Sequence, residues 1–180
     1  MAKTCTTEKT AKRQEWIENG LLELMLTDRF ERITVTDLCR HLGLSRRSFY
    51  RYFRDLEDVL DSALVHAFQS MAIPRGSPEP EDIRRNFEFW LSRRGLLDAL
   101  QHSGMLDKLY EYTARFTVTE DIRTFLPPED QSLWQEAIRF AISGSMGLII
   151  GWYQDGFRKT PEEMARIAYR MLYRPILAKR

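Results

Sequence analysis

Between Leu42 and Phe53 the chain reads LGLSRRSFYRYF, and Arg46, Arg47 and Arg51 stand there among Ser48, Tyr50 and Tyr52. An arginine fork matches the paired acceptors of guanine in the major groove and also pairs with phosphate. Tyrosine, serine and threonine hydroxyls donate to phosphate oxygens. At about 100° per residue, Phe49 and Phe53 share one face of a helix. Arg47, Arg51 and Arg54 then point away from that face, with Tyr50 and Ser48 on its flanks and Arg46 and Tyr52 nearer its edge. From Arg29 to Arg54 there are seven arginines and two acids, Glu31 and Asp37, which leaves five positive charges in excess. The whole chain of 180 residues carries a formal charge of only +1, and its first 68 residues hold 11 basic and 11 acidic groups. The charge is therefore focused rather than global, the pattern that binding to a polyanion needs. A solvated cationic face on an ordinary three-helix core is the competing reading.

Other chemistry finds little footing. His41, His66 and His102 lack metal-ligand spacing, and there is no CxxC pair. The segment SGSMG, Ser143–Gly147, resembles a nucleophile elbow in the wrong register, because Ser143 stands where the elbow requires glycine. There is no P-loop and no dinucleotide fingerprint. No enzymatic activity, cofactor or metal is expected. Two cysteines, Cys5 and Cys39, do not make a disulfide framework, and MAKTCTTEKTAKRQ has no apolar signal region. The apolar run Ala141–Tyr153 is too short to span a bilayer. A soluble, cytoplasmic protein is expected.

The elements that must position the arginines are helical. Period-two strand patterns are missing, and helical spacing recurs between Pro and Gly breaks. The fold class expected is all-α, with about nine helices. A first helix spans Glu8 to Leu26, with Trp16, Ile17, Leu21, Leu24 and Met25 buried and Lys12, Arg13, Glu15, Glu18 and Glu23 in water. Thr34 and Asp37 form a capping box for a helix over Val35–Leu42, ended by Gly43. Ser45 caps the next, Arg46–Phe53, and Asp55 with Asp58 opens one that runs to about Ala72. PRGSPEP, Pro74–Pro80, reads as a linker. Two or three helices follow to about Phe125, interrupted near Gly95 and Gly104. Pro127-Pro128 makes another break. A long helix over Glu129–Asp155 and a last one from Pro161 to Tyr173, capped by Thr160 and followed by Pro175, complete the chain. The expected division is 1–54 for the tail and helix-turn-helix domain, 55–73 for a connecting helix, and 74–180 for a helical sensing and dimerisation domain.

Short helix, Gly-containing turn, short helix is the helix-turn-helix pattern. The stretch ITVTDLCRHLGLSRRSFYRYFRDLEDVL, Ile33–Leu60, resembles the DNA-binding domain of the TetR/AcrR family of transcriptional repressors. The resemblance is carried by Thr34, by Gly43-Leu44-Ser45, by Phe49-Tyr50-Arg51-Tyr52-Phe53 and by Leu56–Leu60, with Gly20 and Leu24 before them. Two places depart from the family pattern. Tyr52 stands where histidine is usual, and Leu56 stands where a lysine usually touches the DNA backbone; Arg54 could substitute. The resemblance implies that the third helix lies in the major groove. Arg46, Arg47, Ser48 and Arg51 are then the base-edge contacts, and Thr34, Thr36, Tyr50 and Tyr52 the backbone contacts.

The same resemblance implies a C-terminal domain that dimerises and binds a small effector. Ala141, Gly144, Ser145, Leu148, Gly151 and Trp152 lie on or near one strip of the long helix, and Ala168 and Met171 on the last. Small residues at this spacing let a second backbone approach, which suits a two-fold interface of four helices. Phe87, Trp90, Leu91, Leu106, Leu109, Tyr110 and Phe116 are the pocket candidates, although an aromatic set at helical spacing also reads as plain core. Few charges interrupt them, so an apolar or aromatic effector is expected. Together these imply a regulator, a repressor by resemblance, that binds a palindromic operator as a homodimer and is released by its effector. The alternative is a family-like co-activator or interaction module with weak or no specific DNA binding.

Overall fold

The computed structural model describes residues 8–71, 79–117 and 132–173. Cys5, the linker residues 74–78, Pro127-Pro128, the expected helix start at Glu129 and Pro175 lie outside them. The described residues form nine α-helices and no strand. These are α1 (Glu8–Met25), α2 (Val35–His41), α3 (Arg46–Phe49), α4 (Leu56–Ser70), α5 (Pro80–Ser92), α6 (Arg94–His102), α7 (Lys108–Thr117), α8 (Trp134–Gln154) and α9 (Pro161–Ala168). A 3₁₀ turn covers Phe30–Arg32, and a π turn continues α9 over Tyr169–Tyr173.

Short polar side chains set the helix starts. Thr34 and Asp37 close a reciprocal capping box on α2, and Thr160 and Glu163 close another on α9, which begins with Pro161. The Ser45 hydroxyl accepts the Ser48 amide, and an Asp55 carboxylate oxygen accepts the Asp58 amide at 2.8 Å. Gly43 stops α2 in the left-handed region, φ 59°. The Leu44 amide reaches back to the Cys39 carbonyl, and the Gly43 amide to that of Arg40, a closure that a β-carbon would strain.

Two expectations are corrected here. The helix expected over Arg46–Phe53 is α-helical only to Phe49. The Tyr52 amide then bonds the Phe49 carbonyl three residues back, and Asp58 takes the Arg54 amide at 3.1 Å, so the chain tightens and turns into α4. Glu18, expected in water, is buried. One of its carboxylate oxygens accepts the Ser62 hydroxyl at 2.7 Å, and the other pairs with His66 Nδ1 at 2.9 Å. Trp16 is half-buried, with the Arg13 guanidinium 4.0 Å from its ring centre.

The chain divides into two compact units. One comprises the residues to Ala67 with Gly95–Met105, and the other comprises Phe68–Arg94 with the residues from Leu106 onward. In the first, Ile17, Leu21, Met25, Leu38, Phe49, Phe53, Val59, Leu60 and Leu64 form the core, and α6 adds Leu97, Ala99 and Leu100. The Ser103 hydroxyl anchors the 3₁₀ turn by accepting the Phe30 amide at 3.0 Å. In the second, α5 packs along α9 and α7 along α8. Its core is aromatic: Trp90 meets Phe68 edge-on, Phe68 stacks on Tyr112 and Phe116, and Phe87 meets Trp152 edge-on.

Candidate nucleic-acid interface

The first unit holds the arginine cluster on a fixed base. Gly20 of α1 is buried, and a β-carbon there would lie 2.6 Å from a Leu42 methyl, so the Leu42 side chain packs directly on the bare backbone of α1 and would have to shift for alanine. Phe49 on α3 and Phe53 in the turn after it are fully or almost fully buried, as is Leu38, which pins this segment by its inner side. Burying a phenylalanine side chain contributes about 2–3 kcal/mol. The opposite face is therefore presented by default, and Arg46, Arg47, Tyr50, Arg51 and Arg54 are all exposed.

These side chains differ in what holds them. Arg46 donates to the Tyr50 hydroxyl at 3.3 Å, and that bond first of all raises the guanidinium above its ordinary value. Arg51 donates to the Tyr52 hydroxyl at 3.0 Å, with its guanidinium 4.9 Å from the Tyr52 ring centre. Arg54 lies 3.5 Å from the buried Asp58 carboxylate. Burial pushes the Asp58 carboxyl up, but hydrogen bonds, among them the Arg54 amide, outweigh it and leave it below its ordinary value. Arg47 has no intramolecular partner among the described residues and is available to an outside acceptor.

Thr34 stands at the start of α2, but its hydroxyl already donates to Asp37 and accepts the Asp37 amide. The Thr34 hydroxyl, ahead of the other causes, holds the Asp37 carboxyl below its usual range. Thr36 is exposed, Ser48 and Tyr52 are half-buried, and Leu56 is buried. Cys39 is buried, and that burial raises its thiol above the ordinary value, which disfavours the reactive thiolate.

The packing also gathers cations that lie far apart in the sequence. Lys9, Lys12, Arg13 and Trp16 of α1 line an open depression of about 400 Å3 together with Arg51 and Tyr52. Their signal was present, because 9, 12, 13 and 16 share one helix face. What was illegible was that this face lies beside the end of α3.

The other candidate residues are distributed as follows. Phe87, Trp90 and Leu109 lie in the core of the second unit, Leu106 and Phe116 are half-buried, and Leu91 and Tyr110 are exposed. Two buried polar atoms on α5, Asn86 Oδ1 and Trp90 Nε1, have no hydrogen-bond partner. On α8, Ala141, Gly144, Ser145, Leu148 and Gly151 are half-buried. Trp152 is buried and donates from Nε1 to the Lys159 carbonyl at 2.9 Å, and Ala168 is buried as well. Met171 is exposed, as is Phe140. Among the described residues no His, Cys, Asp or Glu cluster could hold a metal ion, and no helix is long and apolar enough to cross a membrane.

A family profile described as "Transcriptional regulator C-terminal region" matches residues 94–174. No curated protein matches the chain by sequence. Among solved structures it is similar to the dihydroxyacetone kinase operon activator DhaS, with 13% identity, 91% of this chain and 95% of that one covered, and a TM-score of 0.58. A tetR-family transcriptional regulator from Streptomyces coelicolor shares 19% identity over 93% of this chain and 83% of its own, with a TM-score of 0.53. The fatty acid degradation regulator FadR from Bacillus halodurans shares 13% identity over 95% of this chain and 96% of its own, with a TM-score of 0.51. At these identities the structures speak for the fold.

Proposed function

We propose that this chain is a TetR-family transcriptional regulator that binds a palindromic DNA operator as a homodimer, represses transcription in the cytoplasm, and is released by a small-molecule effector; the match of residues 94–174 to a transcriptional-regulator C-terminal region and the shared fold support this reading. One observation carries the DNA reading above the rest: buried Phe49 on α3 and buried Phe53 in the turn after it hold this segment by its inner side and leave Arg46, Arg47, Tyr50 and Arg51 exposed. Arg46, Arg47 and Ser48, in the first turn of α3, are the proposed base-edge contacts. Arg51 lies beyond the helix, two residues after its last residue Phe49, and its guanidinium is steadied by Tyr52, which suits a phosphate better than a base. Thr36, Tyr50 and Tyr52 take backbone contacts. Thr34 joins them only by giving up its hydroxyl bond to Asp37.

The half-exposed strip of small residues on α8, with Phe140 and Met171, supports the dimer. Gly147 and Gly151 have open space where a β-carbon would stand, so a second backbone can come close. The effector reading draws on α5, where the buried Asn86 Oδ1 and Trp90 Nε1 lie one helical turn apart without partners, the Trp90 ring within an aromatic core. A ligand with an apolar body and one neutral polar group would satisfy both. Effector binding would favour a dimer geometry with the wrong spacing of recognition helices, and by linkage DNA would weaken effector binding by the same factor.

The test is selection of duplexes from a random-sequence pool by the full chain. The reading expects an enriched two-fold sequence with half-sites about 34–36 Å apart. Binding that enriches nothing, with one affinity for all duplexes, would instead favour the interaction module.

A further inference from the structure

We propose that the edge of α1, formed by Lys9, Lys12 and Arg13, joins Arg51 and Tyr52 in gripping the phosphate backbone beside each half-site, outside the base pairs that α3 reads. This rests on the DNA-binding reading above and extends it to a surface on another helix. The residues line one depression of about 400 Å3, so four cations converge on a shared space. Lys12 also pairs with Glu8 at 2.7 Å, but both side chains are largely exposed, and the pair is weak enough to exchange for an anion.

The geometry presents hydrogen-bond donors as well as charge. The Arg13 guanidinium lies over Trp16, 4.0 Å from the ring centre, which steadies it beside the depression. The Tyr52 hydroxyl accepts from Arg51 at 3.0 Å, so its own hydrogen is available to a phosphate oxygen. Arg51 and Tyr52 lie in the turn just after Tyr50, the C-cap of α3, so the depression begins next to the end of the recognition helix. The site is open rather than enclosed, which fits a polymer backbone running past it. Donors that meet phosphate oxygens instead of base edges add affinity without sequence preference. The buried Leu56 offers no cation to the backbone, and these side chains supply others.

The experiment uses the full chain and the duplex it selects. Lys9→Gln, Lys12→Gln and Arg13→Gln are compared with the wild type and with Lys159→Gln, a cation on the second unit. Each lost phosphate contact flattens the slope of log affinity against log salt by about 0.9, so each single variant flattens it by about 1.8 in a dimer. Selection with the triple variant should return the same base sequence. Trimming base pairs outside the half-sites should weaken the wild type and leave the triple variant unaffected. Variants whose salt slope and flank dependence both equal those of the wild type would overturn the proposal while leaving the DNA-binding reading intact. A wild type that selects no sequence would overturn that reading and this one with it. Thermal melting of each variant confirms the fold, and the single variants, on an exposed helix face, keep the test valid if the triple variant melts early.

Discussion

Replacing Arg47 with alanine separates recognition from folding. Its side chain is exposed and has no intramolecular partner among the described residues, so the fold should lose no more than about 0.5 kcal/mol. If Arg47 forks onto a guanine edge, each copy supplies about 1–3 kcal/mol of discrimination, which is roughly 5- to 160-fold. A dimer holds two copies, so the selected duplex should bind at least about 30-fold more weakly. Anisotropy titrations of the variant against the selected duplex and a scrambled one at fixed salt read this directly. Affinity should fall for the selected duplex and hardly change for the scrambled one, and one base position per half-site should become permissive. Equal losses on both duplexes would show a phosphate contact, and no loss on either would place Arg47 outside the interface. Either result would refute the assignment.

Three further outcomes are expected. Leu56→Lys should steepen the salt slope by about 0.9 per subunit if the start of α4 lies at the backbone, and should lower thermal stability because it replaces a buried leucine; an unchanged slope would put that position away from DNA. Glu18→Leu should strand the Ser62 hydroxyl and destabilise the first unit by about 1–3 kcal/mol in urea unfolding. Adding Ser62→Ala should return part of that loss, and additive effects would argue against the coupling. Asp37 titrates below its unfolded value because of Thr34, so its contribution is complete above the ordinary carboxylate range and fades as pH falls through the lowered value. Thr34→Ala should therefore lose more stability at neutral pH than in acid, and a loss that does not vary with pH would contradict it.

What the sequence made legible was local. Thr34, Ser45, Asp55 and Thr160 announced helix starts because a cap and its partner lie three residues apart. The spacing of Phe49 and Phe53 marked both as buried, although the α-helix that the spacing assumed stops at Phe49. Glu18 was misread because residue type argues for water, while its partners Ser62 and His66 lie 44 and 48 residues away. The early tightening of α3 depends on Asp58 capturing the Arg54 amide, a choice that helix periodicity does not encode. The cations of α1 read as a solvated face because only tertiary packing brings them to Arg51 and Tyr52.

The most direct measurement is dimethyl sulfate protection of guanine N7 atoms, which lie in the major groove, on the selected duplex bound by the full chain. Entry of α3 into that groove predicts N7 protection in both half-sites, with one guanine per half-site regaining reactivity when Arg47→Ala is bound at saturation. Guanines that stay fully reactive under saturating wild-type protein would contradict it.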